Sequence, residues 1–161
     1  MEAVSKNNTR RITYIDLFAG AGGLSEGFSN AGFEPIAHVE MNSDACKTLR
    51  TRACYYYLKE QDRLSQYYDY LSGKYTTEDF YKLVPQRILD SIICETMSNE
   101  TMESIYTRIH KLMQQKNVSN VDLVVGGPPC QAYSQVGRAR KCMDNDPRSK
   151  LYTLYYRVLE K

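Results

Sequence analysis

The sequence predicts an α/β protein: a partial doubly wound parallel sheet with a helical insertion. Three observations predict it. Val121 to Val125 is apolar apart from Asp122 and runs into Gly126-Gly127-Pro128-Pro129-Cys130-Gln131, the pattern of a buried parallel strand that ends in a tight turn. Ile12 to Phe18 reads as a second buried strand, followed by Ala19-Gly20-Ala21-Gly22-Gly23 and then by residues at helical spacing. Pro35 to Val39 reads as a third strand, closed by Glu40.

Taken in order, Met1 to Arg11 is polar and reads as a flexible lead-in with no signal-peptide core. Asp16 is the one charge in the first strand. Leu24, Phe28 and Ala31 give the next helix its inner face, and Gly32 stands where a C-cap glycine belongs. After Glu40, Asn42 or Ser43 caps a helix whose first turn holds Asp44 and whose inner face holds Ala45, Cys46 and Leu49.

From about residue 54 to 120 the character changes. Tyr55, Tyr56, Tyr57, Tyr67, Tyr68, Tyr70, Tyr75 and Tyr81 crowd together among charges. The stretch reads as a mostly helical insertion, broken near Gly73 and Pro85. Thr76 or Thr77 caps one helix through Leu83. Another spans Ser98 to Gln115 with Met102, Ile105, Ile109, Leu112 and Met113 on one face. Packing is the simpler role for these tyrosines, base stacking the rarer one. Gln131 to Lys141 is polar and basic, a loop; Leu151, Leu154, Tyr155 and Val158 mark a final amphipathic helix.

Composition narrows the function. A net charge of +2 does not by itself announce nucleic acid. No run is long and apolar enough to span a membrane, so a cytoplasmic protein is the default. The five cysteines (Cys46, Cys54, Cys94, Cys130 and Cys142) contain no Cys-x-x-Cys pair. Neither a disulfide framework nor a metal site is expected. A lone cysteine is usually a small buried hydrophobe. Cys130 differs because a rigid Gly-Gly-Pro-Pro frame delivers it to a strand end, where open α/β sheets bind their ligands.

The glycine turn suits a nucleotide-like cofactor, and an acid at the end of the next strand suits ribose hydroxyls; Glu40 holds that place. A dinucleotide fingerprint needs a glycine where Ser25 stands, and a P-loop needs Gly-Lys-Ser/Thr. Both are absent, which points to a nucleoside cofactor without pyrophosphate.

Asp16-Leu17-Phe18-Ala19-Gly20-Ala21-Gly22-Gly23, Glu40 and Gly127-Pro128-Pro129-Cys130-Gln131 resemble the first, second and fourth motifs of the DNA cytosine-5 methyltransferases. The resemblance covers Ile12 to Glu40 and Val121 to Leu151. It implies a Rossmann-like methyltransferase fold that uses S-adenosylmethionine to methylate double-stranded DNA. By the same resemblance Phe18 packs on the adenine, while Ala19, Gly20, Gly22, Gly23 and Leu24 line the methionine side. Glu40 holds the ribose, and Met41, Pro129 and Leu151 border the cofactor. Cys130 is the nucleophile that adds to cytosine C6 on a flipped base. Gln131, Ser134, Arg138 and Arg140 are the expected DNA contacts.

Two departures stand out. The third motif has only Ile93-Cys94-Glu95 as its nearest segment by position. The Glu-Asn-Val motif, the later arginine motif and the target-recognition region have no counterpart in these residues. The expectation is therefore the N-terminal part of a catalytic domain, inactive alone, with a second polypeptide or a missing C-terminal part supplying the rest. The alternatives are an RNA cytosine-5 methyltransferase of the tRNA-modifying branch and a non-catalytic cofactor- or partner-binding subunit. A dinucleotide oxidoreductase is more distant.

Overall fold

The computed structural model describes residues 10–128 and 151–160. Four parallel strands make one sheet in the order β3-β2-β1-β4. They are β1 (Thr13–Leu17), β2 (Glu34–Glu40), β3 (Ile92–Cys94) and β4 (Leu123–Gly126). The helices are α1 (Gly23–Asn30), α2 (Ser43–Glu60), α3 (Leu64–Leu71), α4 (Thr77–Tyr81), α5 (Gln86–Asp90), α6 (Met102–Gln115) and α7 (Leu151–Leu159). Chain order reverses between β1 and β4, so the crevice at their carboxyl ends is the switch point where such sheets bind ligands.

Period-2 alternation along β1 divides the layers. Ile15 and Leu17 join the main core with Val39, Ile93, Met102, Ile105, Ile109, Leu112, Leu154 and Val158, so α6 and α7 cover that face. Tyr14 and Asp16 point the other way, to α1. The Tyr14 ring meets Phe28 at 5.3 Å, and the Ser25 hydroxyl donates to Asp16 Oδ2. The polar exception in the β4 segment has a structural reason. Asp122 Oδ2 accepts from the Thr13 N–H and hydroxyl, each at 2.8 Å, and Oδ1 accepts from Arg10 at 2.7 Å. It therefore ties the start of β4 to the start of β1.

Local signals place the end of α1 and the start of α2 as the sequence implies, and shift two other helix ends. Gly32 has φ +86, and the Phe33 N–H reaches back to the Phe28 carbonyl at 3.0 Å, which is a Schellman ending. Asn42 Oδ1 accepts from the Asp44 and Ala45 N–H groups at 2.9 Å each, capping α2. Thr76 caps α4, which closes at Tyr81 rather than at Leu83. α6 starts at Met102, since Ser98 to Thr101 form a turn closed by the Thr101 hydroxyl and the Met102 N–H.

One expectation needs correcting. Residues 54–120 are not wholly an insertion. They contain β3, which pairs with β2 through His38↔Ile92 and Glu40↔Cys94, and α6, which packs on the sheet. Only α3 to α5 stand outside the alternating pattern, around a small core of Cys54, Leu58, Phe80 and Val84. Several tyrosines pack there; Tyr70 stacks on Phe80 at 4.1 Å between ring centroids. Arg10 and Arg11, placed in the flexible lead-in, pair with Asp122 and Glu60.

Candidate functional site

The site is built at the carboxyl ends of β1 and β2. After Leu17 the chain turns through Phe18, Gly20 and Gly22, all at positive φ (58°, 55° and 85°). A bulky residue such as Phe18 rarely accepts that conformation, and strain of this kind gathers at functional sites. Gly22 is favoured first by its backbone and second by a close neighbour that would have to shift. Its φ is left-handed, and a Cβ there would lie 2.7 Å from Leu49 Cδ2 on α2. At Gly20 and Gly23 a Cβ would meet nothing within 4 Å, so the turn faces open space.

Glu40 closes this cradle. Its Oε2 accepts from the Gly20 N–H at 2.8 Å and its Oε1 from the Asn42 N–H at 2.8 Å. Each carboxylate oxygen retains acceptor capacity for a hydroxyl. The Glu40 carbonyl accepts from the Glu95 N–H at 3.0 Å and from Cys46 Sγ at 3.3 Å. The end of β3, the segment nearest to the third motif, therefore lies beside the acid. Leu24 and Met41 leave apolar side chains open to solvent here, 50% and 68% exposed. Phe18 and Leu151 are half-buried against the main core.

Two further residues belong to the site, and the sequence did not single them out for it. Asp16 is 1% exposed, and its Oδ1 has no hydrogen-bond partner among the described residues. Burial, with a smaller push from the Glu40 charge, raises its carboxyl to about 6, against the pull of the Ser25 hydrogen bond. A single acid in an apolar strand was the available signal. Arg52, on α2, donates to the Ala21 carbonyl at 3.1 Å and pairs with Glu26; nothing in the local sequence marks it.

β4 reaches the same end of the sheet. Gly126 has φ +151, and a Cβ there would lie 2.0 Å from the Leu17 carbonyl oxygen. Only glycine lets β4 run this close to β1, and it sets Gly127 and Pro128 beside the turn. Cys130, Pro129, Gln131, Ser134, Arg138 and Arg140 lie outside the described residues. Cys46 and Cys54 are not rival nucleophiles, because burial pushes both thiols up to about 12. A groove of about 840 Å³ between α1 and α2 shares Gly22 and Arg52 with this site. It includes Gly22 but neither Phe18 nor Glu40, and the buried His38 in its wall is pushed down to about 4, mainly by burial. The convergent backbone donors and carboxylates at the strand ends make the stronger candidate site.

With this geometry in place, comparison with known proteins decides the family. The sequence model for C-5 cytosine-specific DNA methylase matches residues 12–70 and 76–161. The chain belongs to this family. The match also runs through most of the stretch read as an insertion. Among curated relatives, the Type II methyltransferase M.Bpa9945I of Bacillus paralicheniformis is 38% identical over 166 residues, covering 91% of this chain and 37% of that protein. The Type II methyltransferase M1.HphI of Haemophilus parahaemolyticus is 30% identical, with 92% and 29% covered. For M.AquIA of Picosynechococcus sp. the values are 30%, 91% and 43%. The chain thus spans less than half the length of these relatives. No solved structure matches the chain at a significant level. The four-stranded sheet is that of a Rossmann-like methyltransferase fold. No helix among the described residues is long and apolar enough to cross a membrane.

Proposed function

We propose that this methylase-family chain carries the cofactor half-site and the nucleophile of a DNA cytosine-5 methyltransferase. Its expected compartment is the bacterial cytoplasm or nucleoid, and its type II relatives suggest the modification arm of a restriction–modification system. The carrying observation is the direct closure of the glycine turn by the strand-end acid, Gly20 N–H to Glu40 Oε2 at 2.8 Å. A nucleoside fits that cradle: the Glu40 carboxylate takes the ribose hydroxyls, and Phe18 and Met41 border the base. The first turn of α1 has no side-chain cap, so its N–H groups are open to a carboxylate. Asp16 and Glu40 make the site electronegative, which suits a sulfonium cation. Ala19, Gly20, Gly22, Gly23 and Leu24 line the methionine side, with Pro129 and Leu151 at the margin.

Bound there, S-adenosylmethionine supplies an electrophilic methyl group. The chain's own chemistry is that of Cys130, two residues beyond Pro128. Its thiolate would add to cytosine C6, which makes C5 electron-rich enough to take the methyl group; loss of the C5 proton then returns the electron pair to the C5–C6 double bond and expels the thiolate. Gln131, Ser134, Arg138 and Arg140 engage the double-stranded DNA from which the base is flipped. The glutamate that engages cytosine N3 and the target-recognition region come from further sequence or from a second polypeptide.

The test is calorimetry with S-adenosylmethionine on the chain and on Glu40→Ala. Charged hydrogen bonds of about 1.5–3 kcal/mol predict a loss of affinity of about 10- to 150-fold. Equal affinity in both would sink the reading. In the complete, DNA-methylating assembly, Cys130→Ala is expected to abolish methyl transfer while leaving cofactor affinity unchanged.

A further inference from the structure

The second helix does more than cover the sheet. Its side chains reach into the glycine turn from behind. Leu49 Cδ2 lies 2.7 Å from where a Gly22 Cβ would sit, and the stem of Arg52 runs alongside, with Cδ and Nε each 3.8 Å from that position. The Arg52 guanidinium then splits. Nη1 donates to the Ala21 carbonyl at 3.1 Å, and Nη2 pairs with the Glu26 carboxylate. Around the same carboxylate, Tyr56 and Asn30 complete a polar seam between α1 and α2.

Several other polar groups of the turn have local or strand-end partners. The Ala19 carbonyl accepts from the Gly22 N–H at 2.9 Å, and the Gly22 carbonyl accepts from the Glu26 N–H at 3.0 Å. The Ala19 N–H donates to the Val39 carbonyl at 3.1 Å, and Gly20 is held by Glu40. The Ala21 carbonyl is different: its side-chain partner comes from a helix 31 residues away. Arg52 is partly buried, with 35% of its side chain exposed. A planar guanidinium can hold a carbonyl and a carboxylate at once, which an ammonium does with less geometric definition.

We infer that Arg52 is a positioning residue for the cofactor turn, a strut from α2 that fixes the Ala21-Gly22 peptide in its bound-ready conformation. This rests on reading the turn as the S-adenosylmethionine site. Pre-organisation of this kind raises affinity by lowering the ordering cost of binding. The strut acts through the turn and touches no reacting atom.

The test uses the 161-residue chain with two readouts. The first is S-adenosylmethionine affinity by calorimetry for wild type, Arg52→Ala, Arg52→Lys, Glu26→Gln and Glu40→Ala. The second is hydrogen exchange of the Gly22 and Gly23 amides in the cofactor-free protein, beside the urea midpoint of each variant. The expected result for Arg52→Ala is a roughly tenfold weaker affinity and faster exchange in the turn. Arg52→Lys should recover part of both. Glu26→Gln, which keeps the Arg52–Ala21 bond, should bind within about twofold of wild type. Should Arg52→Ala fail to fold, the lysine variant carries the comparison alone. Wild-type affinity and exchange in Arg52→Ala would overturn the inference. So would an equal loss in Glu26→Gln, which would assign the effect to the α1–α2 seam. If Glu40→Ala also left affinity unchanged, the cofactor reading itself would fall, whereas a loss in Glu40→Ala alone would remove only the role of Arg52.

Discussion

Replacing Asp16 by asparagine should make the protein's stability respond differently to pH. Asp16 is buried in β1 with one carboxylate oxygen unpartnered among the described residues, and its carboxyl is raised from 3.8 to about 6, chiefly by burial. Because the raised group holds its proton more tightly in the folded state, the Asp16 contribution to stability is greatest below about pH 4 and is lost as pH rises from there through about 6. At about 1.4 kcal/mol per tenfold change in proton affinity, the ionised carboxylate costs about 3 kcal/mol at pH 8. That is a large share of the roughly 5–15 kcal/mol that stabilises a domain. Asparagine does not titrate. An unpartnered amide N–H₂ in its place shifts the whole curve by a constant, which leaves the pH dependence as a clean readout. The assay is urea unfolding of both proteins from pH 3.5 to pH 8. The stability difference, variant minus wild type, should grow by about 3 kcal/mol across that range. Parallel curves, differing by less than about 0.5 kcal/mol in that change, would refute the burial argument. A matching loss of S-adenosylmethionine affinity in Asp16→Asn would tie the destabilising charge to function, a common trade at binding sites.

Gly126→Ala puts a methyl group 2.0 Å from the Leu17 carbonyl oxygen at a positive φ, so β1 and β4 must part. A loss of about 3 kcal/mol in urea unfolding is expected, and an unchanged midpoint would show that β4 leaves the sheet at a different angle. Asp122→Ala leaves the Thr13 N–H without its acceptor and should lower the midpoint. The Asp122 carboxyl is held below its ordinary value, first by the Thr13 backbone hydrogen bond. Wild type should therefore lose this contribution as pH falls through that lowered value, and the variant should show a flatter acid limb.

Much of the architecture was legible because it is encoded locally. Gly22, Glu40 and Asn42 announce a turn, a strand-end acid and a helix cap through backbone rules that act within a few residues. The 3.6-residue spacing of Ile105, Ile109 and Leu112 marks α6 before any fold is known. β3 was not legible, since Ile92–Cys94 is three residues long and no period can be read from three. Its strand identity comes from pairing with β2, and that error turned a sheet element into part of an insertion. Asp122 looked like a flaw in an apolar run until Thr13 appeared opposite it, 109 residues away.

The sequence by itself determined β1, β2, β4 and the glycine turn after β1, because short-range sterics and hydrophobic periodicity carry those signals, and its motifs carried the resemblance to the family. The tertiary structure alone decided how the turn is held. The Arg52–Ala21 hydrogen bond, the Leu49 wall against Gly22 and the close approach of Gly126 to Leu17 join residues far apart in the chain. Such contacts exist only once the sheet has brought three elements to one end, and no local pattern encodes them.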